Sequence, residues 1–90
     1  MPNFDADIRG RIIALVDAIL LQNEITAEVF PETKLVDAGL TSVDMVSLML
    51  GVEAEFDFTI PQDAITPENF LTVATLEQMV SGQLRSARAA

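Results

Sequence analysis

The chain contains no cysteine, no histidine and no tryptophan among its ninety residues. Without Cys and His it forms no disulfide and offers no thiol nucleophile or imidazole base. It also lacks the sulfur and imidazole ligands that almost every zinc, copper or haem site needs. Carboxylate sites for hard metals stay chemically open, but no stretch has the calcium-loop spacing of alternating Asp/Asn, a central Gly and a closing Glu, so no metal is expected. Basic residues are scarce: five Lys and Arg stand against fourteen Asp and Glu, a formal net charge of -9 at pH 7. Such a surface repels phosphate backbones, and neither nucleic acid nor an anionic membrane is an expected partner. Long apolar runs are missing too. The longest, Ile12 to Val16 and Ala18 to Leu21, fall far short of the roughly 18 residues of a spanning helix, so no membrane insertion is expected. The opening residues, with Pro2, Asp5 and Asp7 and no early Lys or Arg, have the pattern of neither a secretory signal nor an Arg-rich transit peptide, and a cytoplasmic home is expected.

What is present is apolar: 50% of the residues are hydrophobic. A chain this short supports a single core, so residues 1–90 are read as one domain and a monomer, ordered from about Phe4 to Ser86 with a frayed tail from Ala87. The acid is unevenly spread. Between Lys34 and Arg85 there is no basic residue, whereas Asp37, Asp44, Glu53, Glu55, Asp57, Asp63, Glu68 and Glu77 all fall there. That field either attracts a basic protein partner or simply keeps the surface solvated.

The periodicity is helical throughout. Ile8, Ile12, Leu15, Val16 and Ile19 recur at three- and four-residue spacing, behind Asn3 or Asp5 as cap, and predict a helix over about 5–22. From Asn23 to Thr41 the pattern fails across a long connection, for which Val29, Phe30, Leu35 and Val36 are the expected apolar anchors. Gly39 suits a turn with positive φ, and a helix starting at Thr41 or Ser42 runs to about Phe56. Two apolar stripes share that helix. Met45, Leu48, Met49, Val52 and Phe56 form one that can enter a core, and Val43, Val46, Leu50 and Ala54 form another; such a helix is either fully buried or exposes one side to a partner, and a bundle of this size has little room to bury both. After an extended link through Phe58 and Ile60, Thr66-Pro67-Glu68 predicts a short helix to about Leu71. Thr72 caps a last helix with Leu76, Met79, Val80 and Leu84 inward and Arg85 and Arg88 near its end. No segment calls for a strand. The expected fold is all-α, a small four-helix bundle of three longer helices and one short one, with a long connection between the first two.

At the start of the second long helix, Gly39-Leu40-Thr41-Ser42-Val43-Asp44 sets two hydroxyls in competition for the cap. Thr41 with Asp44 three residues on satisfies the capping box, which would free Ser42. A free hydroxyl in the first turn sits at the positive end of the helix dipole, where a phosphate ester is stabilised. Alternatively, Ser42 is itself the cap.

The stretch Leu35-x-Asp37-x-Gly39-x-x-Ser42-x-Asp44, followed by Leu48, Glu53, Phe56, Ile60-Pro61 and Thr72-Val73, resembles the acyl carrier and peptidyl carrier family over about Ile8 to Val80. The resemblance implies that Ser42 accepts a covalent 4′-phosphopantetheine from coenzyme A and that Asp44 helps a modifying enzyme dock. The cargo-bearing thiol then belongs to the cofactor, and the chain needs no cysteine. The implied partners are a phosphopantetheinyl transferase, an acyl- or aminoacyl-loading ligase, and downstream acyltransferase-type enzymes with basic patches. They would meet Val43, Asp44, Val46, Ser47, Leu50, Glu53 and Ala54. Fatty-acid carriers of bacteria usually show Asp-Ser-Leu where this chain has Thr41-Ser42-Val43, and acids where it has Ser47 and Ala54. The segment Leu48 to Glu53 looks more like specialised stand-alone carriers, including aminoacyl carriers charged by discrete ligases.

Two functions of different class follow: a modified carrier that holds an acyl or aminoacyl thioester, or an unmodified helical module that binds through Val43, Val46 and Leu50. A catalytic reading through Glu53 and Asp57 lacks any neighbouring base, nucleophile or oxyanion partner, so no enzyme activity is expected.

Overall fold

The computed structural model describes residues 4–89, with side-chain surroundings for residues 8–86. Its elements are α1 (Phe4–Gln22), a single-turn α2 (Leu35–Ala38), α3 (Ser42–Phe56), a 3-10 turn over Gln62–Ala64, and α4 (Val73–Ala89). Among the described residues there is no strand, and three long helices and one short helix make the bundle.

The apolar spacing explains the core. Ile8, Ile12, Val16, Ile19 and Leu20 of α1 meet Leu48, Val52 and Phe56 of α3 and Val73, Leu76, Met79 and Val80 of α4, all buried. α1 packs along both α3 and α4. Its fit against α3 is close at Gly51, where an added Cβ would lie 3.3 Å from Leu15 Cδ2. Among the described residues, ion pairs fasten the same helices: Arg9 to the buried Glu77 of α4 at 2.7 Å, and Arg11 to Glu55 of α3 at 2.8 Å on the surface. Arg11 also donates to the Glu55 carbonyl at 2.6 Å and lies 4.4 Å over the Phe56 ring, so one side chain satisfies an end carbonyl of α3 and covers a core aromatic.

The structure departs from the sequence reading at several points. The short helix expected over 66–71 is one turn only. Thr66 does cap it, its hydroxyl accepting from Asn69 N at 3.1 Å, and Phe70 N donates to the Thr66 carbonyl at 3.2 Å, but only one longer bond follows, from Leu71 N to the Glu68 carbonyl at 3.4 Å. Thr72 ends it by capping α4, through reciprocal bonds with Thr75. The short helix is α2 instead, inside the connection that the failed periodicity assigned to loop. Of the four expected anchors there, Leu35 is buried and Val29 half-buried, while Phe30 and Val36 are 57% and 61% exposed. Ile25, Ala38 and Leu40 do the anchoring in their place. α1 starts at Phe4, so Asp5 lies inside the helix rather than capping it. Asn3 and the side chains of Asp5, Asp7 and Arg88 lie outside the described residues. α4 runs to Ala89.

Candidate functional site

The start of α3 is built by the chain around it. α2 ends at Gly39, whose φ of 112° is open only to glycine at low cost, and whose N–H returns to the Val36 carbonyl. Leu40 is buried, which turns the chain so that Thr41 enters the cap position in extended conformation. Thr41 Oγ1 accepts from Asp44 N at 3.2 Å, and Asp44 Oδ2 accepts from Thr41 N at 2.9 Å. Both halves of the capping box are thus present, and Thr41, not Ser42, is the cap.

Ser42 is therefore the first helical residue, exposed, and its hydroxyl has no hydrogen-bond partner among the described residues. Asp44 is held from two sides, because Asn23 Nδ2 donates to the same Oδ2 at 2.9 Å. The Thr41 backbone N–H foremost, then the Asn23 amide, hold the Asp44 carboxyl below its ordinary value of 3.8, since each stabilises only the ionised form.

The second stripe is exposed as its spacing predicts: Val43 is 74%, Val46 52% and Leu50 55% accessible, with Ser47 and Ala54 also open. Glu53 differs from its neighbours. It is half-buried, and its Oε2 accepts from Ile60 N at 2.8 Å, tying the link after α3 back onto the helix.

Beside Ser42 lies an open groove of about 480 Å³ that the sequence reading missed. Ser42, Met45, Val46 and Met49 form its α3 wall, Val36 comes from α2, and Ile65, Phe70 and Leu71 come from the segment before α4. No lining side chain is charged. The one available signal was the surplus of apolar residues in irregular segments. Their convergence depends on Leu35 N bonding to the Leu71 carbonyl at 2.9 Å and Ala74 N to the Pro31 carbonyl at 2.9 Å, long-range pairings with no local signature.

This geometry fits a phosphate ester that carries a long uncharged arm. An unpartnered hydroxyl projects at a helix start, where unpaired N–H groups and the dipole favour a phosphate, and an apolar groove opens alongside. No helix of the described residues is long and apolar enough to cross a membrane.

Comparison with known proteins agrees. Residues 14–81 match the family described as Phosphopantetheine attachment site. The chain is 66% identical over 90 residues to Aminoacyl carrier protein 1 of Bradyrhizobium diazoefficiens, covering all of both. It is 50% identical over 86 residues to Aminoacyl carrier protein 2 of that organism, covering 96% of this chain and 97% of the relative. It also resembles a chain in the crystal structure of Bradyrhizobium japonicum glycine:[carrier protein] ligase complexed with its cognate carrier protein and an analogue of glycyl adenylate. There the identity is 68% and the TM-score 0.74, over 84% of this chain and 99% of that one. A structure of the same ligase with glycylated carrier protein gives 69% identity and a TM-score of 0.71, over 80% and 97%. With Ser42 left exposed at the start of α3 and a curated relative matching from end to end, the chain belongs to the phosphopantetheine attachment family, as a carrier protein and not an enzyme.

Proposed function

We propose that Ser42 bears the 4′-phosphopantetheine and that the holo chain holds a small aminoacyl group as a thioester, loaded by a discrete ligase and surrendered to downstream acyltransferase-type enzymes. The observation that carries the assignment is the division of labour between adjacent hydroxyls: Thr41 is engaged as the cap, and Ser42 is exposed and unpartnered. In the attachment step Ser42 Oγ bonds to the pantetheine-bearing phosphorus of coenzyme A. The pyrophosphate bond breaks, 3′,5′-ADP leaves, and the hydroxyl proton passes to a base of the phosphopantetheinyl transferase. Thr41 and Asp44 keep the first turn wound, which would leave its unpaired N–H groups available to a phosphodiester on Ser42. When bound, the group supplies the thiol that this chain lacks. The aminoacyl cargo is supported by relatives named aminoacyl carrier proteins and by the glycine ligase complexes that contain similar chains.

Val43, Val46 and Leu50, flanked by Ser47 and Ala54, form the face that meets these enzymes, and the acidic surface around them suits partners with basic patches. Asp44 and Glu53 act mainly within the fold, through Thr41 and Ile60. The chain works as one carrier domain and a monomer in the cytoplasm.

Intact mass after incubation with coenzyme A and a broad-specificity transferase tests the assignment. Wild type and Thr41→Ala should each gain one phosphopantetheine and Ser42→Ala none. An unmodified wild type would favour a binding module that uses the α3 face alone, and a modified Ser42→Ala would place the attachment elsewhere.

A further inference from the structure

We infer that Asn23 is a positioning residue of the modification site: its amide locks the first turn of α3 to the end of α1 and so fixes the Ser42 hydroxyl for transfer. This rests on the assignment of Ser42 as the acceptor.

Two independent contacts come from the same short turn. Asn23 Nδ2 donates to Asp44 Oδ2 at 2.9 Å, on the carboxylate oxygen that already accepts from Thr41 N. Two residues on, the Ile25 side chain lies under Gly39, its Cδ1 3.0 Å from where a Cβ would stand. The turn is shaped to deliver both. Asn23 N still bonds to the Ile19 carbonyl, Glu24 takes the left-handed conformation at φ 59°, and Ile25 N returns to the Leu20 carbonyl at 2.8 Å. The end of α1 thereby grips the attachment segment on both sides of Thr41, once before it at Gly39 and once after it at Asp44.

Such a grip matters because Ser42 has no hydrogen bond of its own to hold its hydroxyl, and its position is inherited from the backbone turn that Asp44 closes. Helix ends fray within their first turn, and an acceptor displaced by a fraction of an ångström loses reactivity without losing its docking surface. Asn23 is exposed, so its replacement leaves the core untouched. The structural consequence is a division of effect. Asn23 governs the geometry of the acceptor, and the α3 face governs partner affinity.

The test uses the full chain, coenzyme A and a broad-specificity phosphopantetheinyl transferase, with steady-state kinetics read by intact mass. Asn23→Ala should lower kcat by about two- to ten-fold, the scale of one modest net hydrogen bond, and leave KM for the carrier unchanged. Asn23→Asp should fall further, because it sets a second carboxylate against Asp44. Asn23→Gln, which keeps the amide, should recover most of the rate. Leu50→Ala should instead raise KM. Hydrogen exchange gives a readout that needs no transferase: the Thr41 N–H should exchange faster in Asn23→Ala than in wild type. Wild-type kcat in both Asn23→Ala and Asn23→Asp would overturn the inference, as would a change confined to KM or a Gln variant as slow as Ala. A wild-type chain that gains no mass defeats the Ser42 assignment along with it, whereas normal modification of wild type and of every Asn23 variant defeats only the role of Asn23.

Discussion

Thr41 and Ser42 are neighbours with nearly the same chemistry, yet the fold gives them opposite tasks, and their substitutions should part accordingly. Thr41→Ala removes a cap and should cost about 0.5–2 kcal/mol in urea denaturation, whereas Ser42→Ala, exposed and unpartnered, should change stability by less than about 0.5 kcal/mol. Equal losses would mean that the cap is shared. Asp44 adds a pH dependence whose sign is set by its lowered pKa. Between the depressed folded value and the ordinary 3.8, the unfolded chain binds more protons than the folded one, so stability rises with pH across that window. The contribution is fully present above the ordinary value and is lost as acidification passes the folded value. Denaturation midpoints for wild type and Asp44→Asn, compared from pH 6 down to about pH 3, should therefore converge as the pH falls.

At the scale of elements, α3 is a helix with two apolar sides, only one of which the bundle covers. Leu48→Ala opens a cavity beneath it and should cost about 2–5 kcal/mol, while Leu50→Ala, on the open side, should stay within about 0.5 kcal/mol. Equal destabilisation would remove the case for a docking face. Glycines give a second contrast. Gly10 and Gly82 lie in helices with nothing within 4 Å of an added Cβ, and replacing either by Ala should raise stability by roughly 0.5–1 kcal/mol. Gly39→Ala should do the reverse and lose more than about 1 kcal/mol, because φ is 112° and Ile25 fills the space. The long helices were legible from spacing because each carries a continuous stripe, and the Thr66 and Thr72 caps were legible because a hydroxyl that accepts from the backbone N–H three residues on is a local arrangement, as was the choice of Thr41 or Ser42 for the cap of α3. The helix that Thr66 was expected to open was not, since the next cap at Thr72 takes over the chain after a single turn.

Across the whole molecule, the excess of nine negative charges acts at a distance, and its effect belongs to the approach of a partner rather than to any one contact. Asp44 and Glu53 are poor probes of that effect, because both carboxylates hold backbone in place. Asp37 and Glu68 are exposed and free of such duties, so Asp37→Lys and Glu68→Lys should slow modification at low salt with little loss of stability. Wild-type rates should fall as ionic strength rises, since exposed charges act over a Debye length of about 8–10 Å. Lysine variants modified at wild-type rates at every salt concentration would reduce the acidic surface to a solvated one.

The sequence by itself determined the helical class and the open face of α3, and it narrowed the cap of that helix to Thr41 or Ser42. All of these depend on residues within about four positions of each other, where side-chain direction follows from helical geometry. What the tertiary structure decided lies between residues far apart in the chain. It replaced Phe30 and Val36 as anchors by Ile25, Ala38 and Leu40, drew Val36, Ile65, Phe70 and Leu71 into one groove at Ser42, turned Glu53 inward to Ile60, and set Asn23 against Asp44. In irregular segments no period relates a residue to the direction of its side chain, so which apolar groups are covered is settled only when α1, α3 and α4 close on one another and the connections take the space that remains.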